Sequence, residues 1–119
     1  DLEIALPSHD LHAFANAEAY YTGLPAAYRR AQLDRMIGLH DDLYPALRLS
    51  LFDARRLYSA PITVFGPMLA VIYLGQNYLA FRDTERVHAF TRHFDGLVRE
   101  ADVTERDLPA HLRALKAAI

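Results

Sequence analysis

Two short turn signals between residues 61 and 82 constrain the fold more than any other feature of this sequence. Gly66-Pro67 and Gly75-Gln76-Asn77 separate three short apolar segments, residues 61–65, 68–74 and 78–82. Turns of this length leave no room for a crossover, so the segments are predicted to form antiparallel hairpins. The middle segment is apolar at successive positions, which predicts a central strand covered by helices on at least one face.

A further strand is predicted upstream of these hairpins. Leu47, Leu49 and Leu51 recur at a period of two, which is typical of a strand with one buried face. Residues 54–60, between this strand and the first hairpin, show no periodicity and are expected to be irregular. Together these segments predict a small antiparallel sheet of about four strands.

Helical patterns flank the predicted sheet on both sides. Upstream, an alanine-rich helix is expected over residues 9–21, and a second helix between Pro25 and Pro45. Downstream, an apolar stripe is formed by Val87, Phe90, Phe94, Leu97, Val98 and Ala101. A short last helix is expected from Thr104 or Asp107 to the end of the chain, with residues 102–104 as the one candidate hinge.

The element order predicts an α+β fold, in which the sheet packs against N-terminal and C-terminal helices. The 119 residues fit a single domain.

Without cysteine the chain has no disulfide, thiolate nucleophile or cysteine-based zinc site. A formal net charge of -2 argues against a dedicated duplex-DNA-binding module. The longest apolar run, residues 68–75, is too short to cross a bilayer, and no leader is evident, so we expect a cytoplasmic protein without a membrane partner.

The irregular segment upstream of the hairpins has the residue types of an anion-binding site. It carries Arg55, Arg56, Tyr58 and Ser59. Guanidinium and hydroxyl groups together recognise carboxylates and phosphates, and phenols such as Tyr78 suit the wall of a ligand pocket. We therefore predict that Arg55, Arg56, Tyr58 and Tyr78 contact a small-molecule effector between the sheet and the helices. The alternative is a group of surface arginines paired with Asp53 and acidic helix ends.

The histidines offer weaker candidates for chemistry. His9 and His12 lie three residues apart but lack a third ligand nearby, so no metal is predicted, and no cofactor motif is present. His40 lies at the end of its predicted helix, where the helix dipole favours a protonated imidazole, so no catalytic role is needed to explain it. His93 is explained as a half-buried packing residue whose polar tip reaches water. A small hydrolase using His40 or His93 as a base stays an alternative, but we predict no catalytic residue and no enzyme activity.

Four segments carry a resemblance to known regulators. They are residues 59–67, 70–75, 78–81 and 91–97. These segments resemble the C-terminal effector or dimerisation domain of bacterial helix-turn-helix transcriptional regulators of the XRE (Cro/CI-like) type. The same pattern looks like the phospholipase-D-like sensor domains of other prokaryotic regulators. The resemblance implies a regulatory domain that senses a small molecule, forms a homodimer, or does both.

The chain departs from these families at two points. Phospholipase-D chemistry uses a His-x-Lys motif, whereas the single lysine here is Lys116 and Ala114 precedes it by two residues, so that catalysis is not expected. No compact three-helix DNA-binding head precedes the predicted sheet. We therefore expect a fragment of a longer regulator, starting at Asp1, that acts on DNA only through a separate domain. A ligand-free dimerisation or protein-interaction module is the main alternative.

Overall fold

The computed structural model describes residues 2–119 and confirms the α+β fold, with one five-stranded sheet and four α-helices. The strands are β1 (Leu2–Pro7), β2 (Leu47–Phe52), β3 (Ile62–Phe65), β4 (Leu69–Leu74) and β5 (Asn77–Phe81). The helices are α1 (Ser8–Ala15), α2 (Ala26–Leu43), α3 (Thr84–Arg99) and α4 (Leu108–Ala117). The strand order β2-β1-β3-β4-β5 places β3 at the middle of the sheet and β4 between β3 and β5. The predicted central strand, β4, is thus an inner strand displaced toward one edge.

The sheet is mixed, because β1 joins the predicted strands. β1 runs parallel to β2, with Leu2 opposite Leu47, and antiparallel to β3, with Ala5 opposite Ile62. The predicted count of about four strands is close to the five observed, but the sheet is mixed rather than antiparallel because of the parallel β1–β2 pair. Parallel neighbours require a crossover connection, and α1 and α2 supply it.

The N-terminal helical region is divided more finely than its sequence predicts. α1 ends at Ala15 rather than near Tyr21, because Ala17 and Ala19 adopt positive φ angles of 55° and 51° that a helix cannot accommodate. A short 3₁₀ turn over Ala19–Tyr21 follows. α2 lies between the two prolines as predicted.

Each face of the sheet covers a separate apolar core. On one face, α1, α2 and α4 pack over β1 and β2 around Leu33, Leu51 and Leu112. On the other face, α3 packs across β1 to β4 around Phe52 and Phe94. The first group of helices does not extend over β4 and β5, and the apolar side chains there remain exposed. On this uncovered face the exposed side chains are Phe65, Tyr73 and Tyr78, whereas Leu74 and Leu79 are exposed on the α3 face and Met68 in the turn before β4.

The predicted hinge at residues 102–104 is instead tied to the sheet. Val103 donates a backbone hydrogen bond to Leu51 (3.2 Å) and accepts one from it (2.9 Å), which closes the outer edge of β2. The segment is therefore pinned between α3 and α4. Across residues 2–119, the helices are all too short or too polar to traverse a lipid bilayer.

Candidate functional site

A large hollow lies between the irregular segment after β2 and one side of α3. Its volume is about 840 Å³. It is lined by Arg56, Leu57, Tyr58, Arg92, His93, Gly96, Leu97, Arg99 and Glu100. α3 buries Phe94 and Leu97 against the sheet, so the adjacent side of the helix is turned toward the loop. We call this hollow the loop–α3 site.

Positive charge predominates in the loop–α3 site. Arg56 lies 3.8 Å from the carboxylate of Glu100, so this pair is nearly neutral. Within residues 2–119, Arg92 and Arg99 form no salt bridge, although both line the hollow. The two guanidiniums therefore leave a net positive site, and guanidiniums recognise carboxylates and phosphates through paired N–H donors.

A glycine on the helical wall gives the loop–α3 site part of its depth. Gly96 lies inside α3, where glycine costs stability relative to alanine. A Cβ at this position would meet only the Arg99 guanidinium, at 4.0 Å. Close packing therefore does not require a glycine here, and its effect is to leave open space between Arg92 and Arg99.

Ser59 and His93 meet at the rim of the same site. The His93 Nε2 atom lies 2.9 Å from the Ser59 Oγ atom, and the Ser59 hydroxyl also lies 2.9 Å from the Ala60 carbonyl oxygen, to which it donates. Within residues 2–119, His93 forms no ion pair with a carboxylate that would orient its ring. A serine nucleophile needs a histidine base held by such a third group. The pair therefore supplies polar contacts to the site without a complete catalytic triad.

The structure brings two of the four predicted ligand contacts to this site. Arg56 and Tyr58 line the hollow, and the Tyr58 side chain is almost wholly exposed. Arg55 points elsewhere, toward a neighbouring hollow beside α1. Tyr78 lies on β5, opposite Tyr73 of β4, and does not line the loop–α3 site.

Arg55 forms the local ion pair that we considered as the alternative. Its Nε and backbone N–H both donate to Asp53 Oδ1, at 3.1 and 2.9 Å. The hydrogen bond from the Arg55 side chain, followed by that from its backbone N–H, lowers the pKa of Asp53. The same bond raises the pKa of Arg55. This arginine is thus engaged in fixing the turn that leads out of β2.

The residues that sequence inspection missed are Arg92 and Arg99, whereas His93 was considered only as a packing residue or a base. Arg92 and Arg99 are seven residues apart, which is two helical turns, so they share a face with Gly96 between them. That spacing was a usable signal for a basic helix face. What the sequence does not indicate is that residues 54–60 lie opposite this face.

His40 is held in a structural contact. Its Nε2 atom lies 2.9 Å from the Glu105 carbonyl oxygen, and its ring stacks on Tyr44 with centroids 5.1 Å apart. The Nδ1 atom is buried without a hydrogen-bond partner, and the nearest carboxylate oxygen, of Asp41, is 3.8 Å away. This contact joins the end of α2 to the segment before α4. His40 does not line the loop–α3 site.

A second histidine contact joins the two ends of the chain. The Nε2 atoms of His12 on α1 and His111 on α4 are 3.2 Å apart, and the ring centroids are 5.3 Å apart. The ring centroids are farther apart than the Nε2 atoms by about the radii of the two rings. The rings therefore approach each other through their Nε2 atoms, as in an N–H···N hydrogen bond, and do not lie one over the other. Partial burial and the neighbouring His12 lower the pKa of His111. In residues 2–119 no three His, Cys, Asp or Glu side chains group as metal ligands.

Neither a protein-family model, a curated protein sequence nor a solved structure matches this chain. A functional interpretation therefore depends on the geometry and charge of the sites described above.

Proposed function

We propose that this chain is the regulatory domain of a bacterial transcriptional regulator and binds a small anionic effector in the loop–α3 site. Its contact with DNA would be made by a separate domain, in the cytoplasm. The observation that carries the proposal is the presence of Arg92 and Arg99 together, without salt-bridge partners within residues 2–119, in the loop–α3 site. The resemblance of residues 59–97 to regulator effector domains supports the same interpretation.

The chemistry of the lining selects a carboxylate or phosphate group. Arg92 and Arg99 face the hollow from one helix, and each can donate paired N–H groups to such an anion. Tyr58 and His93 add polar contacts from opposite sides. A ligand large enough to reach both sides would bridge the irregular segment and α3, and would favour the arrangement in which they are close.

Thermal or urea unfolding in the presence of candidate anions tests the proposal. The panel consists of inorganic phosphate, pyrophosphate, sugar phosphates and di- and tricarboxylates, each added in excess. A ligand at 100 times its Kd stabilises the folded state by about 2.7 kcal/mol. If no member of the panel shifts the unfolding midpoint beyond the effect of matched ionic strength, the sensing function is rejected.

Two substitutions locate the binding. Arg92→Gln and Arg99→Gln each remove one charged donor, and a hydrogen bond to a charged group contributes about 1.5–3 kcal/mol, so affinity should fall about tenfold or more. Arg30→Gln is the matched control, because Arg30 is an exposed arginine on α2 away from the hollow. Equal losses in all three variants would indicate general electrostatic attraction and would contradict a site between the loop and α3.

Dimerisation is the second candidate function, and a separate observation favours it. Tyr73 and Tyr78 lie directly opposite each other and are 41% and 67% exposed on a sheet face without a helix over it. Exposed aromatic side chains in a contiguous patch are typical of protein interfaces. Sedimentation equilibrium of the free chain tests this candidate: a homodimer is expected at micromolar concentration, and a monomer throughout would reject it.

A further inference from the structure

β5 is an edge strand without the features that normally prevent strand association. The outer edge of Asn77–Phe81 has no strand partner within residues 2–119. The strand contains no charged residue and no proline, and four of its five residues are exposed. Natural edge strands usually carry charges, proline or a bulge to block pairing with another chain. This edge is therefore open to a further strand.

The turn before β5 determines which backbone groups face outward. Gly75 and Gln76 form a two-residue turn, with Leu74 paired to Asn77 and Gly75 at a φ of 62°. In such hairpins the residues flanking the turn form a hydrogen-bonded pair, and the bonding direction alternates along the strand. The N–H and C=O groups of Tyr78 and Ala80 therefore point away from β4.

We propose that β5 pairs antiparallel with β5 of a second copy of this chain, around a twofold axis that passes through Leu79 perpendicular to the sheet. In this register Tyr78 of one copy lies opposite Ala80 of the other, and the outward N–H and C=O groups of these two residues bond each other. The twofold axis repeats the pair, which gives four backbone hydrogen bonds. The two sheets become one continuous sheet of ten strands.

Side-chain size and charge favour a second copy as the occupant of this edge. Directly opposite residues lie on the same face, so the large Tyr78 ring is placed beside the small Ala80 methyl group of the other copy. Leu79 meets its own symmetry mate on the other face. Continuing the register places Arg82 opposite Gln76 and Asp83 opposite Gly75, so no like charges face each other. The register of the two strands thus creates no like-charge pair.

This inference rests on the dimerisation candidate above and is independent of the anion site. Its test uses the one position that lies opposite itself. Leu79→Lys and Leu79→Glu each place two like charges on the twofold axis, so each variant alone should show a dimer dissociation constant raised about tenfold or more. Mixing the two variants places opposite charges there and should restore a dimer that contains one copy of each.

The restored heterodimer also shows that both variants are folded, and far-UV circular dichroism of each variant provides a second check. Met68→Lys is the control, because Met68 is 75% exposed outside β5 and this variant should dimerise like the unsubstituted chain. A dimer that is unaffected by Leu79→Lys, or two variants that do not associate on mixing, would overturn β5 pairing while leaving dimerisation intact. An unsubstituted chain that remains monomeric would overturn both.

Discussion

The buried side chain of Leu112 offers a stringent test of how firmly α4 is held to the body of the protein. Leu112 has no exposed surface, and it belongs to a core cluster shared by α1, α2, α4 and β2. Leu112→Ala removes most of the side chain and leaves a cavity. Because elements distant in sequence surround the site, the cavity can close only in part. We therefore expect a loss of about 3–4 kcal/mol, within the usual range of about 2–5 for buried leucine.

The control for this prediction is Leu115→Ala, on the same helix. Leu115 is partly exposed at the border of the same cluster, and its truncation should cost about 1 kcal/mol. Urea unfolding followed by circular dichroism gives both free energies, and the slope m should be the same in the two variants. A loss below about 1.5 kcal/mol for Leu112→Ala, or a biphasic transition, would refute the reasoning, because α4 would then unfold separately from the rest.

Three further predictions follow from local contacts. Asp83→Ala removes the side chain that caps α3 and should cost about 1 kcal/mol in urea unfolding, whereas Asp83→Asn should cost less. Because the pKa of His111 is lowered in the folded state, the unfolded state binds more protons below about pH 6.5, so the free energy of unfolding should fall on acidification through that region. The substitution His111→Gln should weaken this pH dependence. An unchanged pH profile in this variant would contradict the contact with His12. The amides of Leu51 and Val103 should be protected together in hydrogen exchange, and rapid exchange of Val103 would restore the hinge hypothesis.

The parts of the fold that sequence inspection predicted depend on contacts between neighbours in the chain. β3, β4 and β5 are joined by short turns, and their pairing follows from the turns alone. β1 depends instead on β2, whose pairing residues are 45 positions away, as with Leu2 and Leu47. Leu2, Ile4 and Leu6 do alternate, but nothing local indicates that this alternation belongs to a sheet strand.

The candidate site shows the same limit. Arg56 and Tyr58 could be chosen because basic and phenolic residues in an irregular segment suggest recognition of an anion. Arg92 and Arg99 could be placed on one helix face, but a basic helix face is usually solvated. Only the packing of α3 on the sheet brings that face opposite the loop. Arg55, which is adjacent to Arg56, is directed away by its local pairing with Asp53, and the sequence does not indicate which of two neighbouring arginines turns inward.

The proposed anion site and the proposed dimer edge both adjoin α3, so the two proposals can be tested for coupling. Two residues separate the end of β5 from the start of α3, which packs across β1 to β4 and carries Arg92 and Arg99 on its exposed side. Suppose that an anion binds each site of the dimer more tightly than the site of the monomer. Thermodynamic linkage then requires that each bound anion strengthen dimerisation by the same factor by which dimerisation strengthens its binding. Equal affinity of monomer and dimer for the anion would mean that occupation of the loop–α3 site does not alter the association of two copies. In that case the anion could regulate an attached domain only by changing the conformation of each copy separately.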